Sequence, residues 1–211
     1  MLTLLDKNIE AYAYEHTTPS GELFDDLREV TLAETDMPQM QVGRIEGQLL
    51  TLLTRLCGAT LAVEVGTFTG YSSLHIAQGL QDGGKLITCD IDEHATSIAR
   101  RFWSRSSAGE RIELRLAPAV DTLATIDQSI DLAFIDADKE NYITYWDLLV
   151  PKMTTGGLII ADNVLWSGKV LKPQEASDKA IVDFNAHVRA DLRVEHVMLT
   201  VRDGIMLARV K

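Results

Sequence analysis

Short apolar runs alternate with stretches of helical length through most of the chain, and this alternation constrains the fold more than any other feature. The runs are LAVEV (61–65), KLITCD (85–90), RIELRL (111–116), IDLAFID (130–136) and GLIIAD (157–162). Residues 71–80, 93–105, 118–126 and 140–151 lie between them with helix-compatible patterns. A βαβα order returns successive strands parallel and covers both sheet faces with helices. Residues 193–201 and 204–210 break the rhythm. They are strand patterns joined at Arg202-Asp203-Gly204, too short a link for a parallel crossover, so they pair antiparallel. The expectation is an α/β, Rossmann-like fold with a seven-stranded, mostly parallel sheet and an antiparallel C-terminal hairpin. Residues 1–57 carry helical patterns broken at TTPS (17–20) and MPQM (37–40), with no strand signal. They predict N-terminal helices packed on the sheet or on a partner. With 211 residues and 46% hydrophobic side chains, the chain has enough apolar material for one well-buried domain, 1–211, with the Rossmann-like core at 58–211.

The formal charge of −11 is spread along the chain with no Lys/Arg cluster, which weighs against extended nucleic-acid binding. Two cysteines, no signal peptide and no membrane-length apolar run predict a reducing, soluble compartment, the cytoplasm.

The segment VEVGTFTGYSS (63–73) places Gly66 and Gly70 in a strand-to-helix turn where backbone N–H groups can approach a ligand. It lacks the middle glycine of G-x-G-x-x-G and carries Glu64 two residues before the first glycine. A cofactor with an amine and no phosphate fits this better than a dinucleotide. Asp90 ends the second strand, where an acid in a doubly wound fold accepts the two ribose hydroxyls. Asp92 reads as the cap of the following helix. The glycine turn, the ribose acid and the antiparallel hairpin together point to S-adenosylmethionine rather than NAD.

VEVGTFTGYSS, FIDADKENY (134–142), ADNVLWSG (161–168) and VRDGIMLARV (201–210), with MQVGRIEGQLL from Met40, resemble the motifs of the cation-dependent O-methyltransferases, the group that contains caffeoyl-CoA and catechol O-methyltransferases. The resemblance implies the class I methyltransferase fold. It implies that Glu64, Gly66, Ser72, Asp90, Asp136 and Asp138 hold S-adenosylmethionine, with Ala119 near the adenine and Met40 and Val42 near the methionine end. Val42 stands where relatives carry a hydroxyl residue.

Asp136 and Asp162 fall at the carboxyl ends of strands, where open α/β sheets bind ligands, and Asn163 follows. Two carboxylates and an amide oxygen suit Mg²⁺ first, with Mn²⁺ or Ca²⁺ possible. The resemblance makes these three the metal ligands. A lysine just past a strand is ordinarily a solvated charge. In catechol-type relatives the position of Lys139 holds the general base, which must be neutral when it takes the phenol proton; Asp136 serves beside it. Trp166 reads equally as an aromatic wall for a planar substrate or as an anchor of its loop. Tyr142, Tyr145 and Trp146 read as helix packing, and the five histidines lack metal-ligand spacing.

The resulting expectation is methylation of a small vicinal-diol phenolic substrate by a homodimer. One alternative is the methylation of a hydroxylated tRNA base. Another is a nucleotide-cofactor-binding protein without methyl transfer.

Overall fold

The computed structural model describes residues 5–211; the first four residues of the expected N-terminal helical region lie outside that range. Helices α1 (Lys7–Glu15), α2 (Glu22–Glu34) and α3 (Arg44–Leu56) precede the sheet. The core follows as β1 (Leu61–Val65), α4 (Tyr71–Gly79), β2 (Lys85–Asp90), α5 (Glu93–Trp103), β3 (Ile112–Leu116), α6 (Ala119–Ala124), β4 (Ile130–Ile135), α7 (Tyr142–Leu149), β5 (Met153–Asp162), α8 (Ala176–Ala190), β6 (Val194–Leu199) and β7 (Ile205–Val210). The strands form one seven-stranded sheet in the order β3-β2-β1-β4-β5-β7-β6. β1 to β5 pair parallel. β7 runs antiparallel to both β5 and β6, as the short hairpin link requires.

Period-two alternation divides the core between the two sheet faces. Leu61, Val63, Val65, Ala133 and Ile135 pack with Leu123, Tyr142, Trp146, Phe184 and Val188 from α6 to α8. Ala62, Leu132, Phe134 and Ile160 pack with Phe24, Leu27, Leu50, Leu74, Ile98 and Phe102 from α2 to α5. The 140–151 segment is helical over a shorter span than expected, because residues 139–141 form a 3-10 turn. β5 begins four residues before the expected position. Gly156, at φ +86°, lies within it, and its pairing with β4 slips between Ile130 and Leu132, an irregularity without a hydrophobic signature. Asp92 caps α5 by accepting from the Ala95 N–H at 2.9 Å. None of the described helices is long and apolar enough to cross a membrane.

His75 joins the N-terminal helices to α4. Its ring lies 4.3 Å from Phe24 and 5.1 Å from Tyr71. Its nitrogens meet the Thr51 hydroxyl at 2.9 Å and the Ser20 hydroxyl at 3.1 Å. Burial lowers its pKa from 6.5 to about 3. A base depressed in the folded state binds fewer protons there than when unfolded, so its stability contribution is intact above about 6.5 and is lost as pH falls towards 3. Unfolding free energy in the wild type should fall up to about 1.4 kcal/mol per pH unit faster over that window than in His75→Gln. Chemical denaturation of both proteins from pH 7 to pH 4 checks this; parallel profiles would exclude a neutral, buried imidazole.

Candidate active site

The carboxyl ends of β1, β2, β4 and β5 converge on one edge of the sheet, and the topology reverses direction between β1 and β4. On the β1 side, Gly66 adopts φ +99°, and a Cβ there would lie 2.0 Å from the Asp136 carbonyl oxygen. Only glycine allows the turn to approach β4 so closely. Gly70 is likewise left-handed, and a Cβ would strike Trp103, whose indole N–H donates to the Gly70 carbonyl at 3.2 Å.

Asp90 organises the turn. One of its oxygens accepts from the backbone N–H groups of Thr67 at 2.9 Å and Phe68 at 2.7 Å. The other accepts from Ile91 and Asp92. These bonds hold Phe68 at φ +48°, a conformation that costs a non-glycine residue energy. Ile91, 75% exposed, is an apolar surface next to this acid. Glu64 is fully buried beneath the turn. One oxygen accepts from Ser73 at 2.5 Å and Thr88 at 2.7 Å, the Ser72 hydroxyl lies beside the carboxyl, and the other oxygen has no hydrogen-bond partner among the described residues. Burial raises its pKa to about 7, against the opposing effect of the three hydroxyls. An unpartnered, buried carboxyl oxygen fits a cationic amine, which would relieve the cost of burying the charge.

The other expected cofactor residues are distributed around this turn. Met40 ends a 3-10 turn (Pro38–Met40) and is half exposed, whereas Val42 is buried among the α2–α5 core residues. Between them, the Gln41 amide donates to the hydroxyls of Thr31 at 2.8 Å and Thr69 at 3.0 Å, tying this segment to the glycine turn. Ala119 opens α6 after Pro118.

On the β4–β5 side, Asp136 follows β4 and Asp162 is the last residue of β5. Asp162 is buried and accepts from both the backbone and the side-chain amide of Asn163, whose φ is +58°. Burial, then repulsion from Glu46 and Asp136, pushes the Asp162 carboxyl well above the usual range. Lys139 is not a solvated charge: its side chain is 8% exposed, donates to Asp136 at 3.1 Å and to the Tyr142 hydroxyl at 2.5 Å, and lies 5.5 Å from the centre of the Trp166 ring. Tyr142 and Tyr145 pack in the helix as expected, but each also has a polar partner, because Tyr142 donates to the Asp162 carbonyl and Tyr145 to Asp138 at 2.5 Å. Trp166, at φ +47°, packs against the α6–α8 face, and its indole N–H has no partner among the described residues.

Sequence reasoning missed the third acid. Glu46, in the first turn of α3, is completely buried, lies against the Asp162 carboxyl and accepts a hydrogen bond from Arg202. Arg202 itself is 8% exposed, with φ +48°. The available signal was Glu46 on the apolar face of a helix and an arginine inside a turn. Among the described residues no group of three or more His, Cys, Asp or Glu side chains is arranged to hold a metal. The candidate cation set is therefore two carboxylates and an amide. Its fit rests on hard oxygen donors and on mutually repelling buried carboxylates, a charge excess that a divalent cation would neutralise.

The family model for O-methyltransferases matches residues 14–211. The chain belongs to the O-methyltransferase family. It is 35% identical over 202 residues to the caffeoyl-CoA O-methyltransferase of Petroselinum crispum, covering 89% of this chain and 83% of that protein. It is 34% identical over 191 residues to catechol O-methyltransferase domain-containing protein 1 of Mus musculus, covering 86% and 73%. The O-methyltransferase of Bacillus cereus, solved in complex with SAH, matches with a TM-score of 0.89 at 30% identity over 97% of each chain. This O-methyltransferase thus has the Rossmann-like class I fold, and it is an enzyme of the methyl-transferring class.

Proposed function

We propose that this O-methyltransferase moves a methyl group from S-adenosylmethionine to one oxygen of a small vicinal-diol aromatic of catechol or caffeoyl type, assisted by a divalent cation. The observation that carries the reading is the contact of the glycine turn with the backbone of Asp136, which sets the donor cradle directly against the acid cluster. The names of the parsley and mouse relatives agree with the acceptor class.

S-adenosylmethionine supplies an electrophilic sulfonium methyl. A divalent cation held by Asp136, Asp162 and Asn163 supplies charge stabilisation for a developing oxyanion and a fixed orientation for adjacent oxygens. The Glu64 carboxyl receives the donor's amine, and Asp90 fixes the glycine turn by accepting from the Thr67 and Phe68 N–H groups. Lys139 lies against Asp136 and Tyr142 and, in its neutral form, would take the phenol proton at Nζ. Asp138, held by Tyr145 and Asn141, orients the segment around it. Trp166 covers the Lys139 side of the pocket and excludes water.

Asp90→Ala is expected to weaken S-adenosylmethionine binding by about 1.5–3 kcal/mol, the scale of a hydrogen bond to a charged group, since it frees the N–H groups of Thr67 and Phe68. Calorimetric titration reads this directly, and an unchanged dissociation constant would remove Asp90 from the donor site. The function itself is tested by native mass spectrometry for bound S-adenosylmethionine or SAH, followed by labelled methyl transfer to a diphenol and to bulk tRNA. Label should enter the diphenol; faster labelling of tRNA would replace the acceptor, and no labelling with donor bound would remove methyl transfer to either.

A further inference from the structure

Arg202 is close enough to interact electrostatically with Glu46, Asp162 and Asp136 together. Its hydrogen bond goes to Glu46, whereas the Asp162 oxygens accept from Asn163 and lie against the Glu46 carboxyl. A guanidinium is a strong bidentate partner for any carboxylate in reach, so a free Arg202 would cap Asp162. Glu46 prevents this by engaging the guanidinium from the first turn of α3. The Arg202 Nε is buried without a hydrogen-bond partner among the described residues, so the pair is not optimised for its own hydrogen bonding.

The turn that carries Arg202 is also fixed to the acceptor-side segment. The Asp203 carboxylate accepts from the Ser167 N–H at 2.5 Å, and its carbonyl accepts from Leu165 at 2.9 Å. The Gly204 carbonyl accepts from Val164 at 3.1 Å. These bonds anchor the turn beside the acid cluster, so the carboxylate that Arg202 meets is set mainly by its side chain.

We propose that Glu46 is a positioning residue that engages Arg202 and so keeps the guanidinium off Asp162, leaving that carboxylate without a fixed cationic partner and able to take a metal ion. The inference rests on the cation-assisted reading above. It predicts an unusual pattern of variants. Glu46→Met releases Arg202 onto Asp162, so cation affinity falls. Glu46→Met/Arg202→Met removes both the keeper and the competitor, replacing a buried ion pair by apolar side chains of similar length, a change that folded proteins tolerate. Cation affinity then returns. A pair that served stability alone would give a double variant no better than the single one.

Mn²⁺ binding to the purified full-length chain, followed by electron paramagnetic resonance, tests this, with SAH affinity by calorimetry and thermal melting as controls for the donor site and the fold. Glu46→Met should raise the Mn²⁺ dissociation constant at least tenfold, and the double variant should bring it back to within about threefold of wild type, with SAH binding unchanged in both. An unchanged Mn²⁺ constant in folded Glu46→Met overturns the proposal, as does a folded double variant that binds as weakly as the single one. Absence of Mn²⁺ binding by the wild type would instead overturn the cation-assisted reading on which the inference rests.

Discussion

Asp162→Ala should lower kcat/KM by about 10³-fold or more, roughly 4 kcal/mol of transition-state stabilisation. Disturbing only the outer partners of a bound metal commonly costs 10–100-fold, and Asp162 is a proposed direct ligand, so the loss should be larger. Treatment with a chelator should produce the same loss in the wild type, and Mg²⁺ or Mn²⁺ should restore turnover there but not in the variant. Stability should move the other way. The Asp162 pKa is raised by burial and by Glu46 and Asp136, so its stabilising contribution is full only below the unfolded carboxylate value and fades as pH rises through the folded one. At neutral pH in chelator, Asp162→Asn, which keeps the acceptor for the Asn163 N–H, should melt no lower than the wild type. Full turnover by chelator-treated enzyme would remove the cation from the reaction.

The second large effect concerns the acceptor. A diphenol should be methylated at least a hundredfold better, in kcat/KM, than the monophenol that lacks the neighbouring hydroxyl, about 3 kcal/mol. Sites built to engage a polar group reject the analogue without it by about 10⁴ or more, and water entering the vacant position reduces that figure here. Steady-state kinetics on a matched pair, such as catechol and phenol, decides it. Equal turnover would show that a second oxygen has no part in orienting the substrate.

The central strands and the polarity of the sheet were legible because both faces are covered there and β1, β2, β4 and β5 read as apolar runs that end in, or are followed at once by, an acid or a glycine. Asp90, Asp136 and Asp162 stood out as candidates for a related reason, as charges at the carboxyl ends of buried runs in an open α/β sheet. The environment of Lys139 was not legible. Its burial depends on Tyr142 and Trp166, which come from different segments of the chain and meet only in the fold. Glu46 and Arg202 were hidden more deeply, being 156 positions apart in sequence. Helical periodicity places Glu46 on the buried face of α3 but says nothing about which partner awaits it. Asp90 shows a further limit, because its position suggests a ligand-facing acid, whereas the fold has its two oxygens accept from four backbone N–H groups of the adjoining turns.

The segment after β5 turns through Asn163, Trp166, Ser167 and Gly168 in left-handed conformations and then ends at Leu171, which is 85% exposed. The turn after β1, by contrast, is clamped by Asp90 and pressed against the Asp136 carbonyl. The two halves of the pocket therefore differ in how much sequence change they can absorb. Directed evolution towards new acceptors should begin its libraries at the exposed Leu171, since Leu165, Lys169 and Val170 already pack on Gly204, pair with Asp178 and meet the core. Diversity introduced at 64–70 would mostly be discarded as protein that no longer grips its methyl donor.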